Sequence, residues 1–281
     1  MTKVSLYGKG FVGSEYYKQF QSSTLVQDRD EFIPQTNKIL YGISTVTNYN
    51  VLDDPFRDIE TNLMLMMDVL DRSRRKFNNE FEFNFISSWF VYGQVMLPAS
   101  EISGCNPKGF YSITKKAAED LLISYCRTFN IPYRIMRLTN VLGAGDEKVS
   151  AQKNATQWVM QKLIDNETVE LYYKGDFFRD YIDVRDCARA INLVIQSAPL
   201  GSITNISNGV PVKFKDVVDY TINYCGSASE ITDHSNTEFH EQVQVKSMYL
   251  HNGKLEKLGY KPEYGIEDTL RWIIDAYKSK S

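Results

Sequence analysis

No stretch of this 281-residue chain approaches the roughly 18 apolar residues that a membrane span needs, and the start, Met-Thr-Lys-Val-Ser-Leu-Tyr-Gly, has no apolar signal core. A soluble cytoplasmic protein is expected. Histidine is scarce: the three residues, His234, His240 and His251, stand late in the chain and not at metal-ligand spacing, so no metal site is expected. The four cysteines, Cys105, Cys126, Cys187 and Cys225, are far apart with no CxxC pair, which fits reduced thiols rather than a disulfide framework or a zinc site. An excess of one charge is also missing. The 32 basic and 35 acidic residues leave a net −3, so no basic face points to nucleic acid and no polybasic run to an anionic membrane. Internal repeats and low-complexity segments are absent. What is present is 43% hydrophobic residues, enough to bury a full core.

Strand-like and helix-like runs alternate, the pattern of an α/β protein with a mainly parallel sheet covered on both faces. A first strand is expected at Lys3 to Tyr7, a helix at Val12 to Phe20, a second strand at Thr24 to Asp28 and a third at Lys38 to Ile43. The long periodic stretch from Asp54 to Lys76 reads as one helix. Phe81 to Ser87 alternates apolar and polar residues before turning apolar, so it reads as a strand ending where Ser87 and Ser88 begin. A helix from Phe110 to Phe129 and a strand from Tyr133 to Leu138 follow. Beyond Gly143 the rhythm loosens into short elements.

Directly after the first strand comes Gly8-Lys9-Gly10-Phe11-Val12-Gly13, a GxGxxG that leads into a helix. In that setting the helix amides and dipole face a pyrophosphate, so Gly8, Gly10, Phe11, Val12 and Gly13 are candidate cofactor contacts. A glycine-rich turn without a ligand is the alternative. At the end of the second strand, Asp28 could accept a ribose 2′-hydroxyl and Arg29 could pair a 2′-phosphate, which leaves NAD and NADP both open. Tyr111 and Lys115 stand four residues apart near a helix start, hence one turn apart on one face. A phenol with a pKa of about 10 is a poor base near neutrality, but a fixed ammonium and a positive nicotinamide favour the phenolate. Lys115 could also hold the nicotinamide ribose. Ser88 could hydrogen-bond the reacting oxygen beside Tyr111. Taken singly, Tyr111 and Lys115 could be an exposed helical pair and Ser88 a strand-end cap.

Together these residues resemble the extended short-chain dehydrogenases/reductases of the NAD-dependent epimerase/dehydratase family, sugar-nucleotide epimerases and reductases among them, over nearly the whole chain. Ser87-Ser88-Trp89-Phe90-Val91-Tyr92-Gly93 is similar to the family's Ser-Ser-x-x-Val-Tyr-Gly, with Ser88 on its catalytic Ser/Thr position, and Tyr111 and Lys115 fall on its YxxxK. Asn62 matches the asparagine that opens the family's long helix. Arg137-Leu138-Thr139-Asn140-Val141-Leu142-Gly143 resembles Arg-x-x-Asn-Val-x-Gly, which gives Asn140 a contact to the nucleotide diphosphate. Phe178-Arg179-Asp180-Tyr181-Ile182-Asp183-Val184 resembles Arg-Asp-Phe/Tyr-Ile-x-Val, which makes Arg179 the diphosphate anchor, a role that suits a guanidinium fork. The resemblance implies a Rossmann-like doubly wound parallel sheet with a smaller C-terminal substrate-binding lobe. Residues 1–145 would bind NAD(P), with strand and helix returns near 181–206, and 146–281 would mainly form the substrate lobe. It also implies a nucleotide-diphosphate sugar as substrate and a homodimer.

The chain departs from the family in places that bear on the reaction. Only about ten residues separate the second and third strands, where the family has a further strand and helix, and Tyr7 replaces its first loop glycine. Arg29-Asp30-Glu31-Phe32 resembles a segment of the family's reductases, which tilts cofactor choice towards NADP. Trp89 and Phe90 stand where its 4,6-dehydratases carry Asp-Glu, and Gly145 where GDP-fucose synthase carries a histidine, so neither dehydration nor proton abstraction beside the keto group is expected. Two reactions need only Ser88, Tyr111 and Lys115. In a 4-epimerase a transient 4-keto sugar turns and takes its hydride back on the other face; in a 4-ketoreductase the hydride comes from exchangeable NAD(P)H. The Arg-Asp-Tyr-Ile motif favours the epimerase. A non-catalytic NAD(P) sensor is a third reading, separable because Tyr111→Phe would leave its binding intact.

Overall fold

Side chains alternate across a strand, so each strand of a covered sheet feeds two cores. The computed structural model describes residues 3–146, 149–234 and 237–279; Met1, Thr2 and the side chain of His234 lie outside the described residues. Six parallel strands form the central sheet: β1 (Val4–Tyr7), β2 (Thr24–Gln27), β3 (Lys38–Tyr41), β4 (Glu82–Ser88), β5 (Tyr133–Leu138) and β6 (Ser202–Ile206). Their order is β6-β5-β4-β3-β1-β2. On one face Leu6, Leu40, Met136 and Leu138 pack against Tyr16 of α1 (Phe11–Gln19) and against Ile191 and Val194 of the helix Val184–Ser197. On the other, Tyr7, Ile39, Tyr41, Phe83 and Phe85 pack against Val69 and Leu70 of α2 (Leu65–Phe77) and Leu122 of α3 (Phe110–Phe129).

From β1 the chain goes to β2 on one side and then crosses to β3 on the other. A crevice therefore opens at the carboxyl ends of β1 and β3, where ligands bind in sheets of this kind. β2 is the edge strand: the short segment 28–37 leaves no room for a further strand beyond it.

One element differs from the sequence reading. The expected helix Asp54–Lys76 is broken into a one-turn helix Arg57–Ile59, a π-turn Glu60–Met64 and then α2. In the π-turn Asn62 is buried, accepting from Ser44 Oγ (3.0 Å) and Thr45 N–H (2.9 Å) and donating to Thr114 Oγ1 (2.9 Å). A polar side chain that bonds across to other elements breaks the regular turn, which apolar periodicity does not register. Asn84, which gives β4 its alternating look, is itself buried. Its amide donates to the Ile39 carbonyl (3.0 Å) and accepts from Arg134 (3.3 Å), so β4 is covered on both faces.

From Asn140 onward, apart from β6, the strands form short pairs outside the central sheet: Asn140–Leu142 with Tyr181–Asp183, Val169–Tyr172 with Ile231–His234, and Phe178–Arg179 with Val212–Lys213. Helices Ala155–Ile164, Phe214–Cys225 and Ile266–Lys278 pack around them in separate apolar clusters. Among the described residues no helix is long and apolar enough to cross a membrane, and no three metal-ligating side chains stand together.

Candidate active site

The carboxyl ends of β1, β3, β4 and β5 border an open cavity of about 390 Å³. Its glycines have different reasons to be glycine. Gly8 leaves β1 at φ +96°, and a Cβ there would stand 2.7 Å from the Gly42 carbonyl carbon. A Cβ on Gly13 would fall 2.0 Å from the Gly8 carbonyl oxygen, so Gly13 lets α1 sit against the loop. At Gly10 a Cβ would meet nothing within 4 Å. Internal packing therefore requires Gly8 and Gly13, while Gly10 borders open space, where bare backbone lets a large anion approach. No side chain caps α1 at Gly10, so the first-turn amides of Phe11, Val12 and Gly13, all on the cavity wall, can serve an incoming anion. This cradle fits a dinucleotide pyrophosphate.

Ser88, Tyr111 and Lys115 meet on the same cavity wall. Ser88 accepts the Phe90 N–H at 3.3 Å as a strand-end cap, and its hydroxyl also bears on the Tyr111 phenol. Burial pushes the phenol up to about 12; the Ser88 and Ser44 hydroxyls pull it down, and the Asp58 carboxylate pushes it up. Lys115 is buried, with Nζ donating to the Ile86 carbonyl (2.8 Å) and 4.2 Å from the Phe85 ring centre. Burial brings its ammonium down to about 7, opposed by Glu119. A bidentate ion pair, Glu119 to Arg137 Nε (3.0 Å) and Nη2 (2.6 Å), fastens α3 to β5.

Beyond Ser88 the wall is aromatic. Trp89 and Phe90 stack with ring centres 3.9 Å apart, and Phe90 meets Tyr111 edge-on at 5.7 Å. The one carboxylate among the described lining residues is Asp146, held by Lys153 Nζ (2.7 Å) and Asn154 Nδ2 (3.1 Å). Among the described lining residues no histidine and no carboxylate other than Asp146 joins Tyr111 and Lys115.

Asn140 also lines the cavity, donating to the Asp180 carbonyl at 3.0 Å. Arg179 does not line it. The guanidinium lies 5.8 Å from the Trp89 ring centre and donates to the carbonyls of Lys246 (2.7 Å), Phe178 (3.0 Å) and Val245 (3.2 Å). Asp28 and Arg29 are likewise off the wall and exposed, with Arg29 reaching Thr61 Oγ1 at 3.3 Å. Reading the sequence missed Gly42, Ser44 and Thr45 as wall residues, although the carboxyl end of the third strand pointed to them. Lys153 and Asn154 were also missed, and no periodicity or motif marks their stretch.

The sequence profile of the NAD dependent epimerase/dehydratase family matches residues 28–207, well over half of the chain. This chain belongs to that family. Over 261 residues, 91% of this chain and 82% of the relative, it is 24% identical to a protein of Methanocaldococcus jannaschii provisionally named a UDP-glucose 4-epimerase. It is 27% identical over 238 residues to GDP-6-deoxy-D-mannose reductase of Pseudomonas aeruginosa, 81% of this chain and 75% of the relative. Among solved structures, RMD of Pseudomonas aeruginosa with NADPH matches at a TM-score of 0.85 and 20% identity, over 100% of both chains. UDP-glucose 4-epimerase of Thermus thermophilus with NAD matches at 0.85 and 19%, again over 100% of both. The family is one of NAD(P)-dependent enzymes with this Rossmann-like doubly wound sheet and smaller C-terminal lobe, and this member shares both.

Proposed function

We propose that this chain is a sugar-nucleotide 4-epimerase, which oxidises the C4 hydroxyl of a nucleotide-diphosphate sugar and reduces the resulting ketone from the other face. The observation that carries this reading is the meeting of Ser88, Tyr111 and Lys115 beside the stacked aromatic wall of Trp89 and Phe90. Ser88 and Tyr111 hold the sugar oxygen, Tyr111 takes its proton in the oxidative half and returns it in the reductive half. Protonated Lys115 lowers the phenol for the first half. When bound, the nicotinamide supplies the hydride acceptor and donor. Trp89 and Phe90 offer neither an acid nor a base for dehydration at their positions. Asn140 and Arg179 hold the diphosphate, the latter after exchanging its carbonyl partners. The named activity of the Methanocaldococcus relative supports the class, and a Thermotoga maritima neighbour solved with UDP-glucose supports uridine sugars as first substrates to try.

In this reading residues 1–145, with the returns near 181–206, serve the cofactor and 146–281 mainly the substrate. Either NAD or NADP can be taken, and the exposed guanidinium of Arg29 favours NADP. Exposed Met64 (64%), Ile113 (51%) and Leu121 (43%), on the π-turn and α3, support a homodimer through this face. The open adenosine end favours a second reading, a 4-ketoreductase: an edge strand β2 and an exposed Asp28-Arg29 pair suit a cofactor that exchanges.

Gel filtration followed by mass spectrometry and absorbance near 340 nm separates the two. The epimerase retains NAD(P)(H) and interconverts epimers without added cofactor. An empty protein that consumes NADPH with a 4-keto sugar nucleotide is the reductase, and a protein that binds neither dinucleotide is neither.

A further inference from the structure

The catalytic helix α3 begins without a cap of its own, because Gly109 stands at its N-cap with φ +81° and offers no side chain. One first-turn donor is instead satisfied from far away in the chain. Asn48 Oδ1 accepts both the Ser112 N–H and the Ser112 hydroxyl at 3.0 Å, next to Tyr111. The fit is close: a Cβ on Gly109 would come within 2.7 Å of Asn48 Cγ. The other arm of the same amide points to the C-terminal lobe, where Nδ2 donates to the Val243 carbonyl at 3.2 Å, and Asn48 is buried to 1% exposure. Val243 ends the helix Glu238–Val243, and just beyond Gln244, Val245 and Lys246 supply carbonyls that hold Arg179. Tyr49 adds a second tie, its hydroxyl 2.8 Å from His240 Nδ1 in that helix.

The segment 238–247 thus meets Arg179 at one end and, through Asn48, the first turn of the catalytic helix at the other. Bonds from a guanidinium to phosphate are charge-assisted and stronger than those to neutral carbonyls, so a diphosphate at Arg179 displaces the carbonyls of Val245 and Lys246. We propose that Asn48 is a positioning residue that couples this rearrangement to the seating of Tyr111, so that diphosphate binding tightens the first turn of α3. The proposal rests on the reading of Arg179 as diphosphate anchor. It requires one element with two arrangements, the segment 238–247, biased by ligand at one end and read at the other.

Asn48→Asp tests it by keeping the acceptor for Ser112 while losing the donor to Val243. Hydrogen exchange is followed in segments 238–247 and 111–115, with and without saturating UDP or UDP-glucose. In the unaltered protein nucleotide is expected to change exchange in the first segment and slow it about threefold or more in the second. In N48D the first response stays and the second is lost, with turnover down about tenfold and KM within about twofold. Tyr49→Phe, which removes one hydroxyl and spares the fold, gives a smaller loss in the same direction. An undiminished response of 111–115 in N48D and Y49F, with 238–247 still responding, overturns the coupling and leaves the functional reading standing. Absence of any response to nucleotide in the unaltered protein overturns both.

Discussion

The two ends of the sheet's carboxyl edge are built differently. At the β4 end, Ser88, Tyr111 and Lys115 are all under 10% exposed, and α3 is fastened by Asn62, Asn48 and the Glu119–Arg137 pair. At the β2 end, Asp28 and Arg29 stand in solvent on a short turn at a sheet edge. Groups that move protons need fixed positions and shifted pKa values, which only burial and several partners supply. Groups that select between NAD and NADP need only present a charge near the ribose. Substitutions at the first end should therefore cost orders of magnitude, and at the second small factors.

Tyr111→Phe sharpens that contrast most. Turnover should fall about 10³-fold while dinucleotide binding, read by fluorescence, stays within about twofold. A comparable loss of binding would break the separation of chemistry from holding. Lys115→Met should cost about 10²-fold in turnover without destabilising the fold, since an apolar chain replaces a buried cation. The sign of the pH effect follows from its lowered pKa. Between about 7 and the unfolded value near 10.4 the unfolded chain binds the proton that the folded one releases, so stability of the unaltered protein rises with pH through that window relative to K115M. Thermal melts across pH 6 to 11, on the scale of those two pKa values, would show the difference, and parallel curves would contradict the burial of this amine.

At the loop between the two ends, Gly10→Ala should leave the melting temperature unchanged and weaken dinucleotide about tenfold, because its Cβ enters ligand space. Gly13→Ala should instead lower stability by about 1–3 kcal/mol, because its Cβ strikes the Gly8 carbonyl. The smallest effect is expected at Arg29→Ala, a shift of about threefold to tenfold in the NADP to NAD preference, seen in paired titrations. A hundredfold shift would place Arg29 among the tightly held groups and erase the contrast.

The buried end was also the legible one. The bounds of α3 and β5 followed from apolar spacing, Tyr111 and Lys115 from a spacing of one helical turn, and Ser88 from a motif at a strand end. Asn48 left no such mark, and Asn62 was marked only by the family resemblance, without its partners. Their partners, Ser112 with Val243 and Ser44 with Thr114, are distant in sequence, so no local pattern encodes the contact. Arg179 was legible as a residue type in a motif, but not in its present bonds, which depend on where the chain near Val245 returns. Lys153 reaches the cavity from a stretch with neither periodicity nor turn signal.

The most direct test of the epimerase cycle uses UDP-glucose and UDP-N-acetylglucosamine deuterated at C4, incubated with the purified protein and no added cofactor. Retention of the deuterium at C4 in both epimers is the result expected of a hydride that leaves and returns within one site. Deuterium passing to free cofactor, or no epimer formed while added NADPH is consumed by a 4-keto sugar nucleotide, would contradict it.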